Sequence, residues 1–295
     1  MKRLVLLSVG CLIASSAFAQ APAEKNVIYG MYSGLALLMD VHRPQKPNGI
    51  GVLFVSGSGW HASPDYGGMS LKDGQPASWQ PLVQAGYTVF AINHRAAPRF
   101  PYPAAIEDVE RAIRFIRFHA KDFGIDPQRI GGFGGSSGAH LVALAGMLAA
   151  NGRSNDPDVV NRESAALQCL VLRATPTDLA HFEGGGLPNV VSFMRELPSE
   201  NVYTDASPIA HVSSAAPPTL LIHGDADKTV SYQQSVAFKT KLEQAHVPVK
   251  LITIPGGDHG PDFGARGKPH SDWPDYAGET VRWFDQHLQP RRSSQ

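Results

Sequence analysis

The chain has 295 residues, with 26 basic and 26 acidic side chains, 43% apolar residues and two cysteines. A formal charge of zero offers no basic surface to a phosphate backbone, so the composition argues against nucleic-acid binding. The apolar fraction is typical of a chain that buries a core, and no stretch is polar enough to indicate a disordered domain.

Residues 1–19 have the three parts of a secretory signal peptide. Lys2 and Arg3 form a positive start, residues 4–13 are an apolar run, and residues 17–19 read Ala-Phe-Ala, a small-x-small cleavage site. The apolar run is too short to span a bilayer, and no later stretch approaches about 18 uninterrupted apolar residues. We therefore expect cleavage after residue 19 and no membrane attachment afterwards.

The exported chain, residues 20–295, is expected to form a single domain in the periplasm or the medium. Of the two cysteines, only Cys169 lies in this part. A lone cysteine allows no intramolecular disulfide, so the core itself must stabilise the domain.

Short apolar segments of strand type alternate with amphipathic segments of helix type. Several of the former are continuous apolar runs, as expected of strands that are covered on both faces. The alternation predicts an α/β domain with a mostly parallel, eight-stranded sheet and helices on both faces. The predicted strands are residues 26–29, 35–42, 51–55, 87–93, 129–133, 167–173, 218–223 and 249–254. The predicted helices are residues 105–119, 137–150, 232–245 and 275–288.

Residues 174–217 lie between two predicted strands and show no regular pattern. A stretch of this length is too long for a simple connection. We therefore predict an irregular insertion that shapes a functional site.

A glycine-rich segment joins a predicted strand directly to a predicted helix. Its Gly134-x-Ser136-x-Gly138 pattern is that of a nucleophile elbow, a sharp turn whose small residues let strand and helix approach each other. The helix N-terminus beside the serine favours developing negative charge. A Walker loop would need Gly-Lys-Ser/Thr, and a dinucleotide fingerprint would need an acidic residue ending the next strand; neither is present. Ser136 is therefore the predicted nucleophile.

A serine at neutral pH is a weak nucleophile, so the elbow predicts a histidine base and an acid that orients it. In this topology the acid follows a late strand and the histidine follows the last one. His259 is accordingly the predicted base. Asp225 and Asp227 share one turn, and Asp178 follows another strand end. Spacing alone favours Asp227 modestly and leaves the other two acids open.

The tetrahedral intermediate of acyl transfer also needs N–H donors for its oxyanion. One candidate is the backbone N–H of Ser137, the residue after the nucleophile. Another is that of Ser58 or Gly59, in the glycine-rich loop after the third predicted strand. The sequence has no His-Glu-x-x-His segment and no cysteine cluster, so we expect no metal and no other cofactor.

These motifs together resemble the α/β-hydrolases of the carboxylesterase type, near the bacterial feruloyl and acetyl-xylan esterase-like group and the hormone-sensitive-lipase-like esterases. The resemblance runs from about residue 29 to residue 288. It implies a triad in which the second Asp of the acid turn, Asp227, orients His259. The segments that carry it are residues 38–44, 56–60, 93–95, 100–108, 134–138 and 223–227, together with His259.

The loop after the third predicted strand departs from the family pattern. His-Gly-Gly-Gly is usual there, whereas this chain has Ser56 in place of the His and Ser58 in place of a Gly. The resemblance implies that the catalytic mechanism is retained despite these two replacements and that the acyl pocket differs from that of the family. We interpret His140 as a buried structural residue, and Arg95 with Asp108 as a buried ion pair.

The expected function is that of a serine carboxylesterase that hydrolyses small acyl or carbohydrate-linked esters through an acyl-enzyme. Trp60 and aromatic residues of the insertion, such as Phe193, are expected to line the substrate pocket. Two alternatives stay open. A serine peptidase of the prolyl-oligopeptidase type shares the fold and triad but usually brings a propeller domain, and a non-enzymatic binding relative would be expected to have lost a triad residue.

Overall fold

The computed structural model of the chain describes residues 24–61, 72, 76–195, 200–265 and 270–289. The predicted signal peptide, residues 1–19, lies outside the described residues. Within them, the strand-type segments form one eight-stranded sheet. Its strands are β1 (Glu24–Tyr32), β2 (Leu35–His42), β3 (Gly51–Val55), β4 (Thr88–Ile92), β5 (Ile130–Gly135), β6 (Leu170–Arg173), β7 (Thr219–Gly224) and β8 (Val249–Ile254).

The sheet is mostly parallel, with the spatial order β1-β2-β4-β3-β5-β6-β7-β8. The β1–β2 and β2–β4 pairs are antiparallel, and every later pair is parallel. The direction of strand addition reverses between β3 and β5. In open α/β sheets, ligands bind at the carboxyl ends of the strands at such a reversal point.

Helices cover both faces of the sheet. They are α1 (Pro76–Gln84), α2 (Ala104–Phe118), α3 (Ala120–Phe123), α4 (Ser137–Leu148), α5 (Leu187–Met194), α6 (Glu200–Asp205), α7 (Gln233–Gln244) and α8 (Tyr276–Leu288). Helices α1 and α8 pack in one apolar cluster, and α2, α4, α5 and α7 pack in another on the opposite face. This arrangement confirms the predicted fold class.

Helix α2 illustrates how the sequence pattern produces these layers. Ile106, Val109 and Ile113 recur at helical spacing and are buried in the second cluster. On the same helix, Asp108 accepts a hydrogen bond of 2.8 Å from Nε of Arg95. Both side chains are buried, which confirms the predicted buried ion pair.

The insertion is more regular than its sequence pattern predicts. Residues 174–217 contain α5, α6 and a 3-10 turn at Pro208–His211, so the prediction of an irregular stretch is wrong. Helices α5 and α6 have only eight and six residues, too few to repeat a helical period clearly. Helix α1 is also not predicted from the sequence, because it contains Pro81, a residue that normally interrupts a helix.

None of the described helices is long and apolar enough to cross a membrane. The described residues also contain no group of three or more His, Cys, Asp or Glu side chains placed to hold a metal ion.

Candidate active site

Four loops meet at the carboxyl ends of the parallel strands. Ser136 follows β5, Asp227 follows β7, His259 follows β8, and the loop with Ser58 and Gly59 follows β3. Parallel strands present their carboxyl ends at one edge of the sheet, so residues far apart in the sequence become neighbours. The structure thus brings the predicted nucleophile, base, acid and oxyanion loop to one place.

Ser136 occupies a strained turn between β5 and α4. Its φ is +51° and its ψ is −124°, a conformation that costs a residue with a Cβ roughly 1–3 kcal/mol. The N–H of Ser136 donates to the carbonyl oxygen of Arg173 at 2.8 Å, and its carbonyl accepts from the N–H of His140 at 3.0 Å. These bonds hold the turn, so the strain is sustained by the surrounding fold.

A hydrogen-bonded series joins Ser136, His259 and Asp227. Nε2 of His259 lies 2.9 Å from Oγ of Ser136, and Nδ1 lies 2.7 Å from Oδ2 of Asp227. When Nδ1–H donates a hydrogen bond to the carboxylate, Nε2 carries no proton and can accept that of the serine hydroxyl. This arrangement can convert the hydroxyl into a nucleophile.

The carboxylate of Asp227 is buried and accepts several hydrogen bonds. Its Oδ1 accepts from the N–H groups of Thr229 at 2.8 Å and Val230 at 2.9 Å, and its Oδ2 lies 3.2 Å from Nε2 of His223. Burial raises the pKa of Asp227, but the hydrogen bonds from His223 and His259 outweigh burial and hold the pKa well below its usual range. The carboxylate is therefore ionised at neutral pH and can orient the imidazole.

The other two acids have different partners. Oδ1 of Asp225 accepts from the N–H of Gly256 at 2.6 Å, and Oδ2 of Asp178 lies 3.0 Å from Nδ1 of His181. Of the three acids that spacing leaves open, the structure brings Asp227 to the imidazole.

The loop after β3 differs from the sequence prediction at Ser58. The N–H of Ser58 donates to Oγ of Ser137 at 2.9 Å and is therefore already paired. The N–H groups of Gly59 and Ser137 have no protein acceptor among the described residues. Gly59 has a φ of +63°, which a glycine adopts without strain. The prediction is corrected accordingly: Gly59, not Ser58, is available as an oxyanion donor beside Ser137.

Trp60 lies in the core. Its ring stacks on Phe193 with centroids 4.8 Å apart, and its Nε1 donates to Nδ1 of His140 at 3.1 Å. Nε2 of His140 donates in turn to the carbonyl oxygen of Ala206 at 2.8 Å. All three rings are buried, so the expected substrate contacts of Trp60 and Phe193 are wrong. The interpretation of His140 as a buried structural residue is confirmed.

The burial of His140 predicts that the fold loses stability in mild acid. Burial lowers the pKa of His140 from 6.5 to about 4, although its bond to Ala206 opposes the shift. Between these two values the unfolded chain binds a proton that the folded chain does not. The free energy of unfolding should therefore fall by roughly 3 kcal/mol from pH 6.5 to pH 4, and urea titrations at several pH values would measure this.

The variant His140→Gln separates this contribution from the others. Glutamine offers a donor and an acceptor but does not titrate, so the dependence on pH should weaken. Burial also lowers the pKa of His94, so the free energy of unfolding of His140→Gln should still fall as the pH falls, but less steeply. An unchanged slope in His140→Gln would contradict the prediction.

A cavity of about 340 Å³ opens beside Ser136. Its lining includes the polar residues Arg173, Asn189 and Thr229 and the small residue Ala174. It includes no Phe, Tyr or Trp of the described part of the chain. None of these three polar residues is predicted from the sequence as part of the site. Arg173 is a charged residue at the end of an apolar strand, and this is a sequence feature that could have indicated a role in the site. Asn189 and Thr229 belong to no sequence motif that would indicate such a role.

Comparison with known proteins relates this site to a family. The BD-FAE family model matches residues 39–242, a range that contains Ser136 and Asp227. The chain belongs to the BD-FAE family. His259 lies beyond the matched residues.

Proteins similar to this BD-FAE chain include named esterases. Esterase LipQ of Mycobacterium tuberculosis is 35% identical to it over 62% of this chain and 45% of LipQ, so the chain spans about half the length of that relative. The acetyl ester-xyloside bifunctional hydrolase from Caldicellulosiruptor lactoaceticus has a TM-score of 0.73 at 28% identity, covering 85% of this chain and 87% of that one. A truncated carbohydrate esterase from gut microbiota has a TM-score of 0.74 at 29% identity, covering 90% of this chain and 96% of that one. These likenesses identify the sheet as that of an α/β-hydrolase.

Proposed function

We propose that this chain is a serine carboxylesterase that forms an acyl-enzyme at Ser136. The observation that carries the proposal is the series of hydrogen bonds from Ser136 through His259 to the buried, ionised Asp227. The relatives support the reaction class, because LipQ is named an esterase and the two solved neighbours are named an acetyl ester hydrolase and a carbohydrate esterase.

The proposed mechanism has two halves. In the first, Nε2 of His259 takes the proton of Ser136 as Oγ attacks the ester carbonyl, and the N–H groups of Gly59 and Ser137 stabilise the oxyanion. His259 then donates that proton to the leaving alcohol oxygen. In the second half, water gives a proton to His259 as its oxygen attacks the acyl-enzyme carbonyl, and His259 returns a proton to Oγ of Ser136 as the acid is released. Asp227 stays ionised throughout and stabilises the imidazolium.

The cavity favours small and polar esters. Its volume of about 340 Å³ is at the lower end for ligand pockets. The described lining offers amide and hydroxyl groups from Asn189 and Thr229, which can hydrogen-bond a sugar, and no long apolar wall that would hold a fatty acyl chain. We infer that the substrates carry acetyl or other short acyl groups on small or carbohydrate alcohols.

Rates on p-nitrophenyl esters of increasing acyl length test this proposal. We expect kcat/KM to be highest for the acetate and to fall by about 10- to 100-fold by the octanoate, because forcing extra methylenes into a packed site costs about 1–3 kcal/mol. Acetylated xylan should release acetate, and a peptide p-nitroanilide should stay intact.

If none of these esters is hydrolysed, the proposed reaction is overturned. A rise of kcat/KM towards the octanoate would instead overturn the assignment of short acyl groups.

We further propose that the enzyme acts outside the cytoplasm. The support is the charge, apolar run and cleavage site of residues 1–19. N-terminal sequencing of protein from the periplasm and the medium checks this: Gln20 is the expected first residue, and an intact Met1 would overturn it.

A further inference from the structure

A buried arginine that the proposed mechanism does not use lines the cavity beside Ser136. Arg173 ends β6, and only 7% of its surface is exposed. Its Nη1 donates to Oγ of Ser78 in α1 at 3.0 Å, and its Nη2 donates to the carbonyl oxygen of Pro261. Both acceptors are neutral, so neither balances the charge.

No carboxylate of the described residues lies within ion-pair distance of Arg173. The guanidinium lies instead over the rings of Phe263 and Tyr276, at 4.9 and 5.3 Å from their centroids. Burial lowers the pKa of Arg173 to about 10, against the influence of Tyr276 and Asp262, so the side chain remains a cation at neutral pH. The ring contacts compensate the buried charge only in part.

Arg95 shows how the same chain treats another buried arginine. Its side chain is 6% exposed, and it has the carboxylate of Asp108 at 2.8 Å and that of Glu107 at 2.9 Å. Burying a cation costs several kcal/mol unless an anion accompanies it. Arg173 differs from Arg95 in having no such partner within ion-pair distance among the described residues, and in lining the cavity.

The hydrogen bonds of Arg173 leave donors unused. A guanidinium has five N–H groups in a rigid fork that matches a carboxylate. The bonds to Ser78 and Pro261 leave the Nε–H and one N–H on each terminal nitrogen without an acceptor among the described residues. A carboxylate in the cavity would supply both the acceptor and the paired charge that the described residues do not provide.

We propose that Arg173 binds a carboxylate of the substrate and makes the site selective for esters that carry a negative charge. This inference rests on the proposed function, since it assigns a specificity residue to the same cavity. The carboxylate can belong to the acyl part, as in a half-ester of a dicarboxylic acid, or to the alcohol part, as in an acylated hydroxy acid.

Two pairs of esters with matched shapes distinguish these sources. Monoethyl succinate against ethyl 4-oxopentanoate places the charge on the acyl side, and 3-acetoxypropanoate against 4-acetoxybutan-2-one places it on the alcohol side. We expect the wild-type kcat/KM to favour the charged member of one pair by about 10- to 100-fold, the range of a charge-assisted hydrogen bond in a buried site.

Variants assign the preference to this side chain. In Arg173→Gln the ratio of charged to neutral kcat/KM should fall to about one, and Arg173→Lys should keep part of it because the charge remains and the fork is lost. Ser78→Ala is the matched control, since it removes an acceptor of the guanidinium and keeps the charge; its ratio should match the wild type. Thermal unfolding checks that each variant folds.

Two results would overturn the inference. One is a wild-type ratio near one in both pairs, which needs no variant to observe, and the other is an unchanged ratio in a folded Arg173→Gln. If p-nitrophenyl acetate is hydrolysed while neither charged ester is preferred, the inference fails and the proposed function stands. If no ester is hydrolysed, the proposed function itself fails.

Discussion

The Ser136→Ala variant is expected to lose about six orders of magnitude in kcat towards p-nitrophenyl acetate and to keep the wild-type fold. The hydroxyl oxygen is the atom that would bond to the acyl group, and loss of a triad serine typically has an effect of this size. Alanine retains the Cβ and a backbone that can follow the same turn, so the strain at φ +51° is unchanged. Steady-state rates, corrected for hydrolysis in buffer, measure the loss.

Ser192→Ala serves as the matched control. The Ser192 hydroxyl lies 2.9 Å from Nε2 of His61, on the same helix as the cavity residue Asn189 but not in the cavity lining. Its activity should stay within about threefold of the wild type, as for a surface change worth at most about 0.5 kcal/mol. A fluorophosphonate should label the wild type and Ser192→Ala but not Ser136→Ala. Near-native turnover by Ser136→Ala would place the nucleophile elsewhere.

The Gly138→Ala variant is expected to lose more than about 4 kcal/mol of stability, or to fail to fold. A Cβ at Gly138 would lie 2.1 Å from the carbonyl oxygen of Val55 and 2.6 Å from that of Ser56. Both atoms belong to the backbone of β3 and its following loop, which cannot move without displacing the sheet. A loss of this size should lower Tm by about 10 °C, measurable by circular dichroism.

Gly30→Ala is the control for this steric argument. A Cβ at Gly30 would have the Cδ1 methyl of Leu37 at 3.2 Å as its nearest neighbour, and that side chain can shift. We expect Gly30→Ala to change the free energy of unfolding by about 1 kcal/mol or less. Equal melting temperatures for Gly138→Ala and Gly30→Ala would show that the contact between α4 and the loop after β3 is looser than the structure has it.

The sequence was a good guide to the sheet and to the elbow, because both depend on local patterns. Strands β3 and β4 are continuous apolar runs bounded by loops, and the elbow at Ser136 combines a motif with a strand before it and a helix after it. The short helices α5 and α6 could not be predicted in the same way, since a few residues do not establish a period.

The details of the site depend on contacts that a sequence does not display. Asp225 and Asp227 lie two residues apart on one turn, and only the tertiary fold determines which carboxylate faces the imidazole. The partner of the Ser58 N–H is a hydroxyl 79 positions further along the chain. From the sequence, Trp60 beside a glycine-rich loop could equally line a pocket or pack in the core. In the structure it packs against Phe193 in the core.

The loop after β3, α5 and α4 meet in one buried cluster of three rings, those of Trp60, Phe193 and His140. A packed interior of this kind does not deform gradually. Helix α5 therefore cannot swing away from that loop as a lid without separating the rings. Asn189, on α5, lies against Gly59, since a Cβ on Gly59 would be 2.8 Å from Nδ2 of Asn189, so this part of the cavity wall is fixed. The proposed ester therefore meets a wall that is already in place rather than one that forms around it.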